Sequence, residues 1–567
     1  ASSDAQVDFE WVEGFCHMLA QMPVPSLRDA PGTEHVGGTV YTLVREFSHP
    51  RRFFVEPSNV HNADGLLRGW RGLSKLDAFS PWHEIVGAVY DFLLALCDVG
   101  TGVRWSLVRT SLRAWLDDLR RSVTGQLGTV PWVNPRDLQQ AGWGIVFPAA
   151  ASPDRCQMLR DTLAPLLELR KEQTGRRFRV YDGKDGYRVG DTARVFLKRP
   201  PRNADVASPA DPESTGVPYY LMLVGSPEEI PFSFQYQLDV QYAVGRIDFG
   251  DDWDAYRNYA HNVVAAERGN LTSDPHGVFF AVRNRGDKAS ELSADHLVAP
   301  LHRDISARWD RSPWRFTHIA PSKATKANLI DILTLESPPA FLFVACHGLE
   351  FDSEAPRQRT DQGALLCRDW QTGQGEVAAD SFLSAQDVSQ EMNLRGQIAF
   401  LFACYSAGTP RYDEYTHRRF KEEGRVIAKA PFSAALPRAM LRLRDKGALA
   451  VVGHVERVWS LSFLSDLPGH PEDMRSRKPE HLQVFTSAFE RLLSGYPVGA
   501  ALDFFNLRYA ALATELTYLY ERISDPPTLR DAYRLAELWT AHNDARGFVV
   551  MGDPAVRLRT SGAGDSE

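Results

Sequence analysis

The sequence predicts an α/β protein with a mainly parallel central sheet, preceded by a mostly helical N-terminal region. Three observations predict it. Short continuous apolar runs, such as 219–224 and 340–345, have the texture of strands covered on both faces. Longer segments between them carry apolar residues three and four apart, the helical spacing. Strand and helix then alternate, which calls for crossover connections and helices on both faces of one sheet.

Taken in order, residues 9–22, 81–99 and 105–123 have helical spacing. In the last of these, Trp105, Leu107, Val108, Leu112, Trp115, Leu116 and Leu119 form one stripe, the pattern of a core-facing side. Residues 1–140 form this helical region and carry no chemical motif. The texture changes after Gln126. Residues 142–148 read as a buried strand, 153–173 as a helix, and 178–181 and 193–197 as further strands. Residues 199–218 hold five prolines among small polar residues and read as a loop or linker, which makes 141–215 an α/β subdomain or accessory region. The regular pattern fills 216–560. Strands are expected at 219–224, 277–282, 316–319, 340–345, 397–403 and 448–453. Helices are expected at 254–268, 292–308, 326–335 and 432–446.

Composition narrows the function classes. At about 150 residues per domain, 567 residues suggest two to four domains. A net charge of -8 gives no general attraction to nucleic acid or to an anionic membrane. Of 64 basic residues 11 are Lys and 53 Arg, a bias that a GC-rich genome explains better than an arginine-built surface. The six cysteines are too sparse for a disulfide framework, and none is in C-x-x-C spacing for zinc. Residues 1–10 carry acids and no apolar core, so a signal peptide is not expected. The longest apolar stretch, 85–99, is short for a membrane span and is broken by Asp91 and Asp98. The expectation is a cytoplasmic protein whose cysteines are thiols.

Two strands end in reactive residues. One runs into Cys346-His347-Gly348, the other into Ala403-Cys404-Tyr405-Ser406. In parallel α/β sheets the ligand crevice lies at the carboxyl ends of the strands, so His347 and Cys404 are expected to meet there. A thiol needs a base or an electropositive site to attack a carbonyl. A glycine beside the histidine admits substrate close to the backbone and leaves an N–H for an oxyanion. Alternation along the strand turns Cys346 away from His347 and into the core, and Cys367 likewise reads as core. No Gly-x-Ser-x-Gly elbow, P-loop or His-Glu-x-x-His helix supports a different hydrolase.

The segments 341–348 (FLFVACHG) and 400–408 (FLFACYSAG) resemble the two catalytic blocks of caspase-like cysteine peptidases, especially the CHAT and gingipain branches. Their 57-residue separation, 404 − 347, is similar to the roughly 50 residues between His and Cys in caspases. Residues 324–333 resemble the helix that enters the His block, 448–454 the strand after the Cys block, and 552–558 (GDPAVRL) the closing motif of those families. Residues 223–226, 239–242 and 244–247 resemble a segment upstream of the histidine in gingipain-like enzymes. The resemblance covers roughly 215–560. It implies a caspase-haemoglobinase-like three-layer sandwich and a His-Cys dyad without an obligatory metal or cofactor.

Carried over residue by residue, it implies His347 as base and proton shuttle, Cys404 as nucleophile, and the backbone N–H groups of Gly348 and Cys404 as oxyanion donors. His454, at a strand end near the crevice, is the rival base or a pocket wall, and Trp459 an apolar wall. Relatives that cut after Arg or Lys often carry Asp two residues before the nucleophile; here that residue is Phe402. Asp239 is therefore the candidate partner of a basic P1 side chain, against a competing reading as a turn or salt-bridge residue. Asp352, Asp361, Asp413 and Glu414 are further acids on flanking loops, and the charged run 409–430 is read as a solvated face or a lid. The expected substrate is a partner protein cut in bacterial defence or programmed death, for example a gasdermin or another protease. The N-terminal region would contact an activating sensor or adaptor, and neither nucleic acid nor membrane is expected to bind directly. The alternative is a non-enzymatic caspase-fold scaffold.

Overall fold

Residues 220–224, 341–345 and 398–402 are buried at every position, as continuous apolar runs must be when helices cover both faces. They are interior strands of a ten-stranded sheet. The computed structural model describes residues 128–559, apart from 203, 205–207, 270–272, 285, 371–376, 416–423, 465–480 and 523–527. The helices expected at 9–22, 81–99 and 105–123 lie outside the described residues. The chain divides into two units, Ala1–Gln126 and Leu127–Glu567, and every described residue belongs to the second.

The strands are β1 (Trp143–Val146), β2 (Phe178–Tyr181), β3 (Tyr220–Val224), β4 (Ala243–Ile247), β5 (His276–Ala281), β6 (Arg315–Ile319), β7 (Phe341–Ala345), β8 (His347–Gly348), β9 (Leu365–Leu366), β10 (Phe382–Leu383), β11 (Ile398–Phe402), β12 (Gly408–Thr409), β13 (Phe432–Ser433), β14 (Ala450–His454) and β15 (Phe548–Gly552). The large sheet has the order β2-β1-β3-β4-β15-β14-β11-β7-β5-β6. Its neighbours pair in parallel except β14 and β15. Two parallel halves therefore run in opposite directions and join at that antiparallel pair. One edge of the sheet carries the carboxyl ends of β14, β11 and β7 beside the amino ends of β15 and β4.

The main helices are α1 (Pro153–Thr174), α2 (Ala193–Lys198), α3 (Phe232–Asp239), α4 (Trp253–Glu267), α5 (Lys288–Leu292), α6 (Ala299–Arg308), α7 (Lys326–Leu333), α8 (Ala435–Arg442), α9 (Leu482–Leu493), α10 (Asp503–Arg522) and α11 (Leu529–Arg546). One group, α1, α4 and α8, packs together, and so does another, α6, α9 and α10. Among the described residues no helix is long and apolar enough to cross a membrane.

Three sequence expectations change. Residues 193–197 form the helix α2, because the Thr192 hydroxyl accepts the Val195 N–H as an N-cap while Phe196 and Leu197 turn inward. The helix expected at 432–446 starts as β13 and is helical only over α8. The region 141–215 supplies β1 and β2 to the same sheet as residues 220–552. Asp553 fastens that region to β15. Its buried carboxylate accepts Trp143 Nε1–H (2.9 Å) and Arg170 Nε–H (2.8 Å), which gives the Gly-Asp-Pro motif a structural role.

Candidate active site

The carboxyl ends of β7 and β11 are adjacent, with Ala345 paired to Phe402. The Cys346 N–H donates to the Phe402 carbonyl (3.2 Å), so the two chain ends leave the sheet in step. His347 and Gly348 continue as β8, in a small sheet with β9 and β10. Cys404 follows β11 on a sharp turn. Tyr405, next to it, has φ of 57°, and its N–H donates to the carbonyl of Glu456, whose φ is 70°. Such values are uncommon outside glycine, so this turn is held by its surroundings.

The two blocks touch through backbone. A Cβ on Gly348 would run into the Cys404 carbonyl and sit 3.0 Å from the Cys404 nitrogen, so only glycine fits. The Gly348 N–H lies within hydrogen-bonding reach of the Cys404 thiol. Of the described cysteines, Cys156, Cys346 and Cys367 are buried and Cys404 is partly exposed. Burial pushes the Cys346 thiol well up and that of Cys367 to about 12. Burial also pushes Cys404 up to about 11, with the Glu350 carboxylate adding to it. Its thiol faces the Val458 carbonyl at 3.9 Å. The resting sulfur therefore keeps its proton at neutral pH.

His347 has a third partner. Its Nε2 lies 2.6 Å from Asp287 Oδ2, and both side chains are partly exposed. Asp287 caps α5, accepting the Ala289 N–H (3.3 Å), in the loop that leaves the carboxyl end of β5. Burial alone would raise this carboxyl, but hydrogen bonds from His347 and Ser290 hold it below its ordinary value. An ionised carboxylate on Nε2 keeps the proton there and leaves Nδ1 as the acceptor, an assignment made from the partner. Asp287 was not foreseen. Its signal lies in an extension of the rule that points to His347, since β5 is the neighbour of β7 and Asp287 follows β5 in sequence.

The remaining expected residues divide. Trp459 follows Val458 in the chain and is 39% exposed. His454 is neither base nor wall. Its ring is fully buried, with Nδ1 3.3 Å from the Glu456 carbonyl, Nε2 3.0 Å from the Asp544 carbonyl, and an edge against Phe548. Asp239 takes the turn role. Its carboxylate accepts the Val244 N–H (3.0 Å), and burial raises it well above the ordinary carboxylate range. It lies on the crevice edge of the sheet, but β4 is three strand spacings from β11, about 14 Å at ~4.8 Å each. The flanking acids Asp361, Asp413 and Glu414 are paired with Arg357, Arg457 and Arg546. Asp352 is exposed. The segment 409–430 is closed at its base by β12 with β13 and by the Tyr412–Val426 bridge, and residues 416–423 lie outside the described residues.

A cavity of about 250 Å³ opens next to Gly348, walled by Leu349, Phe351, Pro356 and Val377, with Glu350 and Arg357 as its charged members. It is smaller than the ~300–1,000 Å³ of small-molecule sites and matches a side chain in size. Glu350 is exposed and accepts the Tyr405 hydroxyl (3.1 Å). Arg357 is held by Asp361 at 2.7 Å.

No protein-family model and no curated protein matches the chain. Among solved structures, one described as "Structure of Protease" is similar over 74% of this chain and 79% of its own, at 12% identity and a TM-score of 0.42. A likeness at that level carries no argument about the chemistry of this crevice.

Proposed function

We propose that the chain is a caspase-like cysteine endopeptidase with a Cys404–His347–Asp287 triad. The observation that carries this reading is the Asp287–His347 contact at 2.6 Å, beside a partly exposed Cys404 whose backbone abuts Gly348. Nothing in packing a core calls for a carboxylate, an imidazole and a partly exposed cysteine at three adjacent strand ends. A nucleophile, a base and a group that orients the base is the arrangement of covalent acyl transfer.

Because the resting thiol is protonated, His347 Nδ1 removes that proton as Sγ attacks the peptide carbonyl. The oxyanion is received by the N–H groups of Gly348 and Cys404. The C–N bond breaks, the His347 proton goes to the leaving amine, and a thioester remains. Water, deprotonated by His347, adds to the thioester and releases acid and free thiol. Asp287 fixes the ring and stabilises the imidazolium. The 250 Å³ cavity receives one substrate side chain, and Trp459 forms an apolar wall. On the family resemblance, the substrate is a partner protein cut in the cytoplasm during bacterial defence or programmed death, and the N-terminal region, 1–140, is the contact for an activating partner.

A second reading, a caspase-fold scaffold without catalysis, is favoured by one observation: the thiol is raised to about 11 and faces Val458 rather than a base. Alkylation separates the two. Iodoacetamide near neutral pH, mapped by mass, should modify Cys404 ahead of Cys346 and Cys367, and His347→Ala should remove the preference. Uniform slow labelling supports the scaffold. The deciding experiment compares wild type and Cys404→Ala on a P1-diverse peptide library and on proteins encoded beside the gene. Absence of any Cys404-dependent cut, with and without candidate activators, ends the peptidase reading.

A further inference from the structure

Two loops flank Cys404. One is 410–415, which follows the nucleophile's own turn. The other is 455–462, whose Val458 carbonyl faces Sγ and whose Trp459 is exposed. They are tied to each other. Glu456 Oε2 accepts the Glu414 N–H (2.8 Å), Arg457 reaches Asp413 (2.6 Å), the Tyr415 hydroxyl donates to the Arg457 carbonyl (2.5 Å), and the Tyr415 and Trp459 rings meet edge to face at 5.7 Å.

Both loops are also fastened to the last two turns of α11. Trp539 Nε1–H donates to the Tyr415 carbonyl (2.9 Å), Asn543 Nδ2–H to the Glu414 carbonyl (3.1 Å), and Arg546 pairs with the Glu414 carboxylate (3.0 Å). These residues are spaced four and three apart and so share one side of the helix. The adjacent side presents Asp544, which is buried. Its carboxylate accepts the Trp459 N–H (2.8 Å) and the Ser462 hydroxyl (2.5 Å), and its carbonyl lies 3.0 Å from His454 Nε2. Gly547, directly after the helix, lets the His454 ring approach so closely that a Cβ there would strike it.

We propose that Trp539, Asn543, Asp544 and Arg546 are positioning residues that latch both loops, as one flap, against the nucleophile. The flap opens as a single unit when the end of α11 lets go. The arrangement argues for this in three ways. One helix segment contacts both loops at once. The hydrogen bonds go mostly to loop backbone, so they hold conformation rather than recognise a ligand. The Val458 carbonyl of the flap faces the nucleophile's thiol, so release of the flap uncovers the sulfur. The core contacts of α11 (Leu538, Ala541, Ala545) form a small cluster with Leu461, Leu512 and Leu516, separate from the main core.

The proposal rests on Cys404 as the reactive centre, and its test needs no substrate. Full-length protein is followed by amide hydrogen exchange and by the iodoacetamide rate at Cys404. Trp539→Phe removes the indole N–H that reaches Tyr415 and keeps an aromatic ring. Ser462→Ala removes one donor to Asp544. Each should raise exchange in both 410–415 and 455–462, including the loop that the substituted residue does not touch. Each should also speed Cys404 alkylation about threefold to tenfold, the shift expected for one lost hydrogen bond. Leu159→Ala on α1, a distant core lesion, should lower Tm and leave both loops unchanged. Exchange confined to one loop, an unchanged Cys404 rate, or the same response in Leu159→Ala overturns the latch. Failure of Cys404 to label ahead of the other cysteines counts against the peptidase reading instead, and the exchange data still decide the latch.

Discussion

Asp287 Oδ2 lies 2.6 Å from His347 Nε2, across sixty residues of sequence and between the ends of two neighbouring strands. In the proposed triad the contact fixes which imidazole nitrogen is free for the thiol proton, and it makes Asp287 the most informative residue to change.

Asp287→Asn keeps the size of the side chain and replaces the carboxylate with a group that also donates. It should lower kcat of Cys404-dependent cleavage by about 10²- to 10⁴-fold, the range seen when a triad's orienting acid is lost. KM should change little, and the alkaline limb of the Cys404 alkylation profile should move. A loss below about threefold in kcat would remove Asp287 from the machinery.

Gly348→Ala drives a methyl group into the Cys404 backbone. The neighbour is main chain and cannot swing aside, so one block must shift. The expected cost is about 1–3 kcal/mol of stability, as for other overpacked sites. Measured by alkylation, Cys404 reactivity should fall while Cys346 and Cys367 stay inert. A variant with wild-type melting and reactivity would contradict the close approach.

Asp239 accepts a backbone N–H from its own turn and is remote from β11. Asp239→Asn should leave the P1 preference on a peptide library unchanged. Asp239→Ala should cost about 0.5–1.5 kcal/mol by denaturant titration, for one lost hydrogen bond. A changed P1 profile in Asp239→Asn would restore this residue to substrate recognition.

Glu456 is buried, and burial pushes its carboxyl up to about 8 against the pull of the Glu414 N–H and Arg457. A carboxyl raised in the folded state stabilises below its unfolded pKa of about 4.5, and that contribution is lost as pH rises through about 8. The Tm of the wild type should fall relative to that of Glu456→Gln between pH 5 and 9. Parallel Tm curves for the two proteins would show that Glu456 does not titrate in this window.

Much of the fold is legible in the sequence where residues act locally. The apolar runs at 219–224, 341–345 and 398–402 announce buried strands because both faces are covered. The strand-end rule alone brings His347, Gly348 and Cys404 to one edge. Less legible is whatever depends on strand order. Residues 548–552 are not singled out as a strand, yet they sit between β4 and β14. His454 ends a strand at the crevice and still belongs to the core, because Gly547 brings the helix end onto its ring. Asp287 is hidden in the sequence because an N-cap aspartate has an ordinary local role, and only the pairing of β5 with β7 gives it a second. Residues 193–197 have strand-like composition, but the Thr192 cap decides for a helix.

The antiparallel junction has a consequence for biosynthesis. β15 follows every other described strand in sequence, yet it is inserted mid-sheet, touching β4 on one side and β14 on the other. A growing chain that has emerged only to residue 540 holds two half-sheets with unjoined inner edges. The contacts that close them span about 300 residues, which makes closure slow. On a ribosome, the two halves of the crevice edge stay apart until β15 has emerged.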